Sequence, residues 1–543
     1  MIAPQKISFL PSRGRPARGL ALVLLALAPF LVGALALWLG QDANWDLRNY
    51  HWYNAYAFLN HRYDIDLLPS QTPAFYNPLM DVPFYLLATH ASARVAGFAL
   101  GFVQGLNFIL LFMLAYAALA IPNPRRKVLA CAGLAALGML GGGGIALIGT
   151  TFYDNVTSLG LFASALLVIR FRRKIFAGPP AKALLFALLC GLPSGLMMGL
   201  KLPIVIFCMG FCGALLLTEG TVFRRFWAAF GFGLGVLLGT ALTLGFWMHF
   251  LEARYGNPFF PYFNDIFKSP FAPLTSARDL QYIQHGWRDK LLYPFVFAAS
   301  PFRTGEIVFR DWRIPILYVL LPLAVIVRLG FGRTKKRQDA VTEPFTSTYL
   351  LWAASLSYAG WLLMFCIYRY AIPLEMLAPL LIVLAAAMLP LKPQTRGLIA
   401  CFLLVVVAAS IQPGNWSRRE SWSEHFVEAD IPPLDLKAEP MLLMAGFEPY
   451  SHVVPLFPPE IPVVRIQSNF ASPDEGKPVN AVIAERLKSH KGAFLLLIPP
   501  YQMHFAKEAL AYFHLALSPE PCQKVIDRLY GDSELSLCPV KRL

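Results

Sequence analysis

Runs of 17 to 25 mostly apolar residues recur along the chain and decide what it can fold into. As a helix, such a run spans about 30 Å of hydrocarbon. Transmembrane β-strands alternate apolar and polar residues, and these runs do not, so a closed barrel is excluded. Composition agrees: 57% of the 543 residues are hydrophobic and 15% charged, against about a quarter charged in a soluble domain. The chain reads as an α-helical polytopic membrane protein with about eleven transmembrane helices. They fall near 20–39, 96–120, 128–149, 154–170, 183–198, 202–217, 226–250, 314–330, 347–366, 371–390 and 396–412. At 183–217, "GLKLP" interrupts the run and can separate two short helices rather than two full spans.

The formal net charge is +15, but no nucleic-acid partner follows from it, because the basic residues form short clusters between apolar runs. These are "RGRPAR", "NPRRK", "RFRRK", "FRRF", "GRTKKR" and "LKPQTR". The positive-inside rule puts them in the cytoplasm. With an odd number of spans and a cytoplasmic N-terminus, residues 40–95, 251–313 and everything after 412 lie outside. The first run is longer than a signal-peptide core and lacks a small-residue cleavage site, so it reads as a retained anchor. The expected location is the bacterial inner (plasma) membrane.

After 412 charge and proline rise, and "MLLMAGF", "IPVVRI" and "AFLLLIPP" alternate with helical patterns around 479–490 and 502–516. Residues 1–412 are therefore expected to form the membrane domain and 413–543 a small extracytoplasmic α/β domain. Six of the eight cysteines lie in apolar runs and read as small buried hydrophobes. Cys522 and Cys538 lie in the outer domain and would pair in an oxidising compartment.

The familiar soluble-enzyme motifs are absent: no Walker loop, HExxH, GxSxG or paired CxxC. "GGGG" at 141–144 sits inside an apolar run and reads as close helix packing by small residues. The chemistry gathers instead in "NWDLRNYHWYNAY", just past the first run. Its aromatic and small residues recur every three or four positions, which suits a helix lying in the membrane interface. "NPLMDVPFYLLATH" then reads as a second juxtamembrane helix. A partly desolvated carboxylate at the bilayer rim binds a proton more readily and can act as a general base. Asp46 is the first candidate and Asp42 the reserve, although Asp46 also stands where a helix-capping acid would.

Arg48, His51, Asp64, Asp66 and Asp81 share that loop, and such a density of polar and aromatic groups fits a carbohydrate. Asp64 and Asp66 either hold an acceptor or face water. Lys201 in "GLKLP" needs a partner or an interfacial position, since a lone cation is costly in the bilayer. A lipid phosphate would suit it. Arg369 and Tyr370 in "YRYAIPLE", with Glu375 near, occupy an outside turn, where an arginine can also simply snorkel.

Together these features resemble the GT-C superfamily, the multispan glycosyltransferases that use polyprenyl-phosphate-linked sugars. The likeness rests on the acid after span one with the following "AYAFLNHR", the "GLK" break, the "RYAIP" turn and the outer C-terminal domain. It implies a membrane glycosyltransferase that moves a sugar from a polyprenyl-phosphate donor to a hydroxyl of a glycan, lipid or protein acceptor, with inversion. It places the catalytic base on Asp46, with Lys201 and Arg369, helped by Arg48 or His51, stabilising the leaving phosphate. Many relatives have Asp-Glu where this chain has Asp46-Leu47, so neither a metal nor another cofactor is expected. A lipid-linked sugar flippase is the alternative, although transporters place ionisable groups near the midplane. A structural protein that only binds glycolipid would need no base.

Overall fold

The computed structural model describes residues 8–12, 16–275, 279–331, 341–474 and 476–543. The cluster "GRTKKR" and most of the arginine-rich start of "RGRPAR" lie outside the described residues. A helix stands at each of the eleven apolar runs. In chain order the helices are α1 (Pro16–Leu39), the short α2 (Trp52–Leu59) and α3 (Val82–His90), α4 (Ala93–Ala118), α5 (Pro124–Met139), the one-turn α6 (Gly142–Ala146), α7 (Asp154–Ala177) and α8 (Pro180–Leu200). Then come α9 (Val205–Leu216), α10 (Val222–Tyr255), the one-turn α11 (Asn264–Phe267), α12 (Trp287–Ala299), α13 (Arg313–Phe331), α14 (Pro344–Met364), α15 (Ile372–Ala387) and α16 (Pro393–Ser410).

Among the described residues, eight helices are long and apolar enough to cross a membrane: α1, α4, α7, α8, α10, α13, α15 with its leading turn, and α16. Three of the eleven runs do not reach that mark. The run at 128–149 divides because α5 ends before Gly141. Lys201 leaves helical geometry, with φ −146° and ψ 101°, so α8 stays long while α9 is short. α14 carries Thr346, Ser347, Thr348, Ser355 and Ser357, which lower its hydropathy.

Small residues bring α8 and α10 together. A Cβ at Gly191 or Gly195 would overlap the α10 backbone, and one at Gly235 or Gly239 the α8 backbone. That is the close helix packing expected of "GGGG". "GGGG" itself does something else: its backbone surrounds a carboxylate, with Gly143 N–H and Gly144 N–H donating to Glu375 at 3.1 and 2.6 Å.

The C-terminal region is a mixed seven-stranded sheet of β3 (Ala429–Asp430), β4 (Met441–Met444), β5 (Val463–Arg465), β6 (Phe494–Ile498), β7 (Leu515–Leu517), β8 (Gln523–Asp527) and β9 (Ser533–Arg542). Its order is β3-β8-β9-β6-β4-β5, with β7 also on β9. β5, β4 and β6 run parallel, and α17 (Val479–Ser489) makes the crossover between β5 and β6. Leu443, Val464 and Leu496 pack under α17 and α18 (Met503–Tyr512), against Ile483 and Leu510. The opposite face, Leu442, Met444, Val463 and Leu497, packs on Tyr53, Tyr56 and Ala57 of α2. Both faces being covered, the central strands are continuous hydrophobic runs. Cys522 and Cys538 are bonded and join the segment before β8 to β9.

This corrects the interfacial reading of "NYHWYNAY". Every residue of α2 from Trp52 to Ala57 is buried, because Trp52 packs toward Phe84 and Phe426 while Tyr53 and Tyr56 pack on the sheet. The loop also lengthens the sheet: Leu67 bridges Val464, with Leu67 N–H donating to Val463 O at 2.8 Å. A further pair, β1 (Gln41–Asp42) with β2 (Arg418–Arg419), ties the exit of α1 to the chain leaving α16.

Candidate active site

The site is built on the turn that follows α1. Asp42 is fully buried and accepts from Asn44 N–H (3.1 Å), Asn44 Nδ2 (2.7 Å), Thr151 N–H (2.8 Å) and Thr151 Oγ1 (2.9 Å). Its oxygens are engaged as scaffold, so the reserve base is not carried forward. Asn44 Oδ1 accepts from Leu47 N–H at 2.8 Å and does the capping that the sequence allowed to Asp46. Asp46 is therefore free to point elsewhere, and it makes no side-chain cap bond. Its Oδ2 accepts from Tyr50 Oη at 3.1 Å and from Arg369 Nη1 at 3.1 Å.

Arg369 comes from the single turn Tyr368–Ala371 that starts the α15 span. Its guanidinium lies 4.2 Å from the centroid of Phe152 and 5.2 Å from that of Trp416. Lys201, released at the α8–α9 break, pairs with Asp154 Oδ1 at 2.9 Å and donates to the Phe152 carbonyl. Tyr370 stands 5.8 Å from the lysine nitrogen. One backbone device aims three neighbours at three targets. Tyr153 is left-handed, φ 62°, a costly conformation for a bulky side chain. The kink sets Phe152 under Arg369, Tyr153 against His51, and Asp154 on Lys201.

His51 Nδ1 lies 2.6 Å from Asp81 Oδ1, with both side chains buried. Burial pushes the Asp81 carboxyl up from its ordinary value, while His51, Tyr153 and Lys201 oppose that rise. Aromatic groups complete the walls: Tyr50 is edge-on to Tyr76 at 5.3 Å, and Tyr76 Oη bonds Tyr262 Oη at 2.7 Å.

The structure thus brings Asp46, Arg369, Lys201 and Tyr370 together, with His51 and Asp81 alongside. It places the other candidates elsewhere. Arg48 faces the sheet domain: its guanidinium lies 3.6 Å from the centroid of Tyr530, and Nε donates to Ala43 O. Burial lowers the Arg48 pKa, partly offset by Tyr530 and Asp527. Asp64 is exposed and pairs with Arg254 at 2.6 Å. Asp66 is buried and accepts from Arg62, Tyr53 Oη and Val463 N–H. Both aspartates serve the seam between first loop, α10 and sheet, so neither is carried forward as an acceptor-holding group.

Sequence reasoning missed Asp154, although it carried the same signal as Asp46, an acid at the edge of an apolar run. It also missed the Glu375 cluster, where Arg313 Nε binds Asp311 at 2.8 Å and Arg313 Nη1 donates to Glu375 O at 3.0 Å. Only folding brings residues 141–144, 311–313 and 375 together. Among the described residues, no group of three His, Cys, Asp or Glu side chains has the arrangement of metal ligands.

Fold and site define a class: a multispan helical membrane protein whose charged, aromatic-walled site sits where the bundle meets a sheet domain. No protein-family model matches the chain, and no curated protein matches it. Among solved structures the chain is similar to the crystal structure of ArnT from Cupriavidus metallidurans bound to undecaprenyl phosphate. The two share 12% identity, with 96% of this chain and 98% of that chain covered and a TM-score of 0.40.

Proposed function

We propose that this chain is a GT-C-type membrane glycosyltransferase that moves a sugar from a polyprenyl phosphate to a hydroxyl acceptor. One observation carries the reading: Asp46, at the exit of α1, meets Arg369 at 3.1 Å, with Lys201 held beside them on Asp154. A carboxylate next to two cations in a poorly solvated, aromatic-walled site suits an attack that needs a base and leaves a phosphate. Asp46 takes the proton of the acceptor hydroxyl as its oxygen bonds to the anomeric carbon. The bond from that carbon to the phosphate oxygen breaks, and its electron pair stays on the phosphate. Arg369 and Lys201 stabilise that charge, and the single displacement inverts the anomeric centre.

The orientation follows from two supports. The basic clusters favour a cytoplasmic N-terminus, and the Cys522–Cys538 bond suits an oxidising compartment outside the membrane. The site and the domain at 413–543 then face the extracytoplasmic side of a bacterial inner membrane.

The test uses proteoliposomes supplied with decaprenyl phosphate carrying mannose, glucose, galactose or arabinose, and a membrane extract as acceptor. Wild type should transfer from at least one donor, and Asp46→Asn should lose about a hundredfold or more. Equal transfer by folded Asp46→Asn protein would remove Asp46 as base. Movement of lipid across the vesicle without any transfer would favour the flippase.

A further inference from the structure

We infer that His51, paired with Asp81, is the hydrogen-bond acceptor that fixes a hydroxyl of the bound sugar. The inference rests on the glycosyltransferase reading and changes the role the sequence gave this residue. A protonated histidine would be one more cation for the phosphate; the proposed role belongs to the neutral imidazole. An ionised Asp81 can only accept, so at 2.6 Å it takes the Nδ1–H of His51, and in the neutral imidazole Nε2 is then a lone-pair acceptor. His51 is 8% exposed, and Nε2 is buried with no hydrogen-bond partner among the described residues. A buried acceptor is costly to leave unmade. Asp81 is itself buried, so the imidazole is oriented by a second buried side chain.

Its position comes from an unusual backbone. In an α-helix, residues five apart point about 140° away from each other, which would turn His51 away from Asp46. Residues Leu47–His51 form a π-helix, with Trp52 N–H donating to Leu47 O. Bonds of the i→i+5 kind bring residues five apart toward one face, and single π turns recur at functional sites. Tyr50 links the two residues, since its hydroxyl reaches Asp46 and its ring centroid lies 4.1 Å from that of His51. On the other side Tyr153 stands edge-on at 5.1 Å, and the next residue, Asp154, holds Lys201. The imidazole therefore stands against Tyr50, which bonds Asp46, and against Tyr153, next to the residue that holds Lys201. In the proposed reaction the sugar joins the attacked carbon to the leaving phosphate, so one of its hydroxyls is the donor for Nε2.

Sugars bring hydroxyl donors, and a site built to hydrogen-bond a hydroxyl discriminates strongly by it. The charged and titratable groups around His51 are Asp81, Tyr50 and Tyr153, with Lys201 acting on Asp81 and with Asp46 and Arg369 beyond Tyr50.

The experiment compares wild type, His51→Leu and His51→Gln in the proteoliposome assay, with the same donor panel and with Asp46→Asn in parallel. His51→Leu should raise the donor KM about tenfold or more, with kcat changed far less. His51→Gln keeps an acceptor oxygen and should return KM to within about threefold of wild type. An unchanged KM in folded His51→Leu, or a KM in His51→Gln raised as far as in His51→Leu, overturns the inference. If His51→Leu fails to fold, His51→Gln decides: a KM raised about tenfold in the folded protein overturns the inference. Failure of the underlying reading looks different: wild type then transfers from no donor, or Asp46→Asn transfers normally.

Discussion

Arg369 holds the proposed base, Asp46, at 3.1 Å and makes its carboxylate a weaker proton acceptor. A donor phosphate would draw the guanidinium to itself, because Arg binds phosphate through paired hydrogen bonds, and would leave the carboxylate to the acceptor hydroxyl. On the proposed mechanism, binding and base release are then one event. The expected signature runs against the usual effect of removing a site residue. Asp46→Asn removes both the competitor for Arg369 and a charge that repels phosphate, so it should bind decaprenyl phosphate about tenfold tighter while losing transfer. Arg369→Gln should bind it more weakly. Titration of each protein with fluorescent decaprenyl phosphate in detergent measures this, and weaker binding by Asp46→Asn would show that the ion pair does not compete with the lipid. At this scale the sequence was informative where one residue carries its own context, as Asp46, Lys201 and Arg369 do beside apolar runs. It was silent on direction. Nothing in "NWDLRNYH" distinguishes a capping acid from a free one until Asn44 is seen to take the cap.

Elements were legible by their hydrophobicity and much less by their partners. The apolar runs mark the helices of the bundle, and "MLLMAGF", "IPVVRI" and "AFLLLIPP" mark the parallel strands β4, β5 and β6. α2 misled because a short helix buried on both faces and a helix in the membrane interface have the same alternation of aromatic, small and polar residues. "GGGG" misled for a related reason: glycines permit close approach, but only the fold says to what. In the structure they approach Glu375, whose carboxylate would overlap a Cβ at Gly141. That carboxylate is fully buried and bound by two backbone N–H groups, so it has little room to move. Gly141→Ala should therefore destabilise the bundle by about 1–3 kcal/mol as an overpacked site. Gly245→Ala on α10, where no atom lies near the added Cβ, should be neutral or slightly stabilising. Thermal unfolding of the two variants in the same detergent checks the contrast, and equal midpoints would mean that Glu375 can yield.

At the scale of the whole molecule the membrane bundle and the sheet domain are one body, and composition could not show that. A rise in charge and proline after residue 412 marks where the chain leaves the membrane, but the sheet completes itself on the first loop, through Leu67 at its edge and α2 on its face. A buried polar link crosses the same seam. His452 Nδ1 lies 3.1 Å from Arg48 O and Nε2 lies 3.0 Å from Asp527 Oδ2. Burial by itself would raise the Asp527 pKa. The charge and hydrogen bond of His452, with the Leu529 N–H and Arg48, outweigh it and hold the carboxyl below its ordinary value. A carboxyl whose folded pKa is depressed adds stability that is complete above its unfolded pKa and disappears as pH falls through the folded one. Asp527→Asn keeps the shape and removes the charge. It should therefore lower the unfolding midpoint by about 3 °C or more between about pH 5 and 7, and the gap to wild type should close progressively below about pH 4. A gap that persists unchanged into strong acid would assign the effect to lost packing instead. Because Arg48 follows Asp46 by two residues, loosening this seam should also disturb the proposed base, so transfer should fall with the midpoint in Asp527→Asn although the substitution lies in the outer domain.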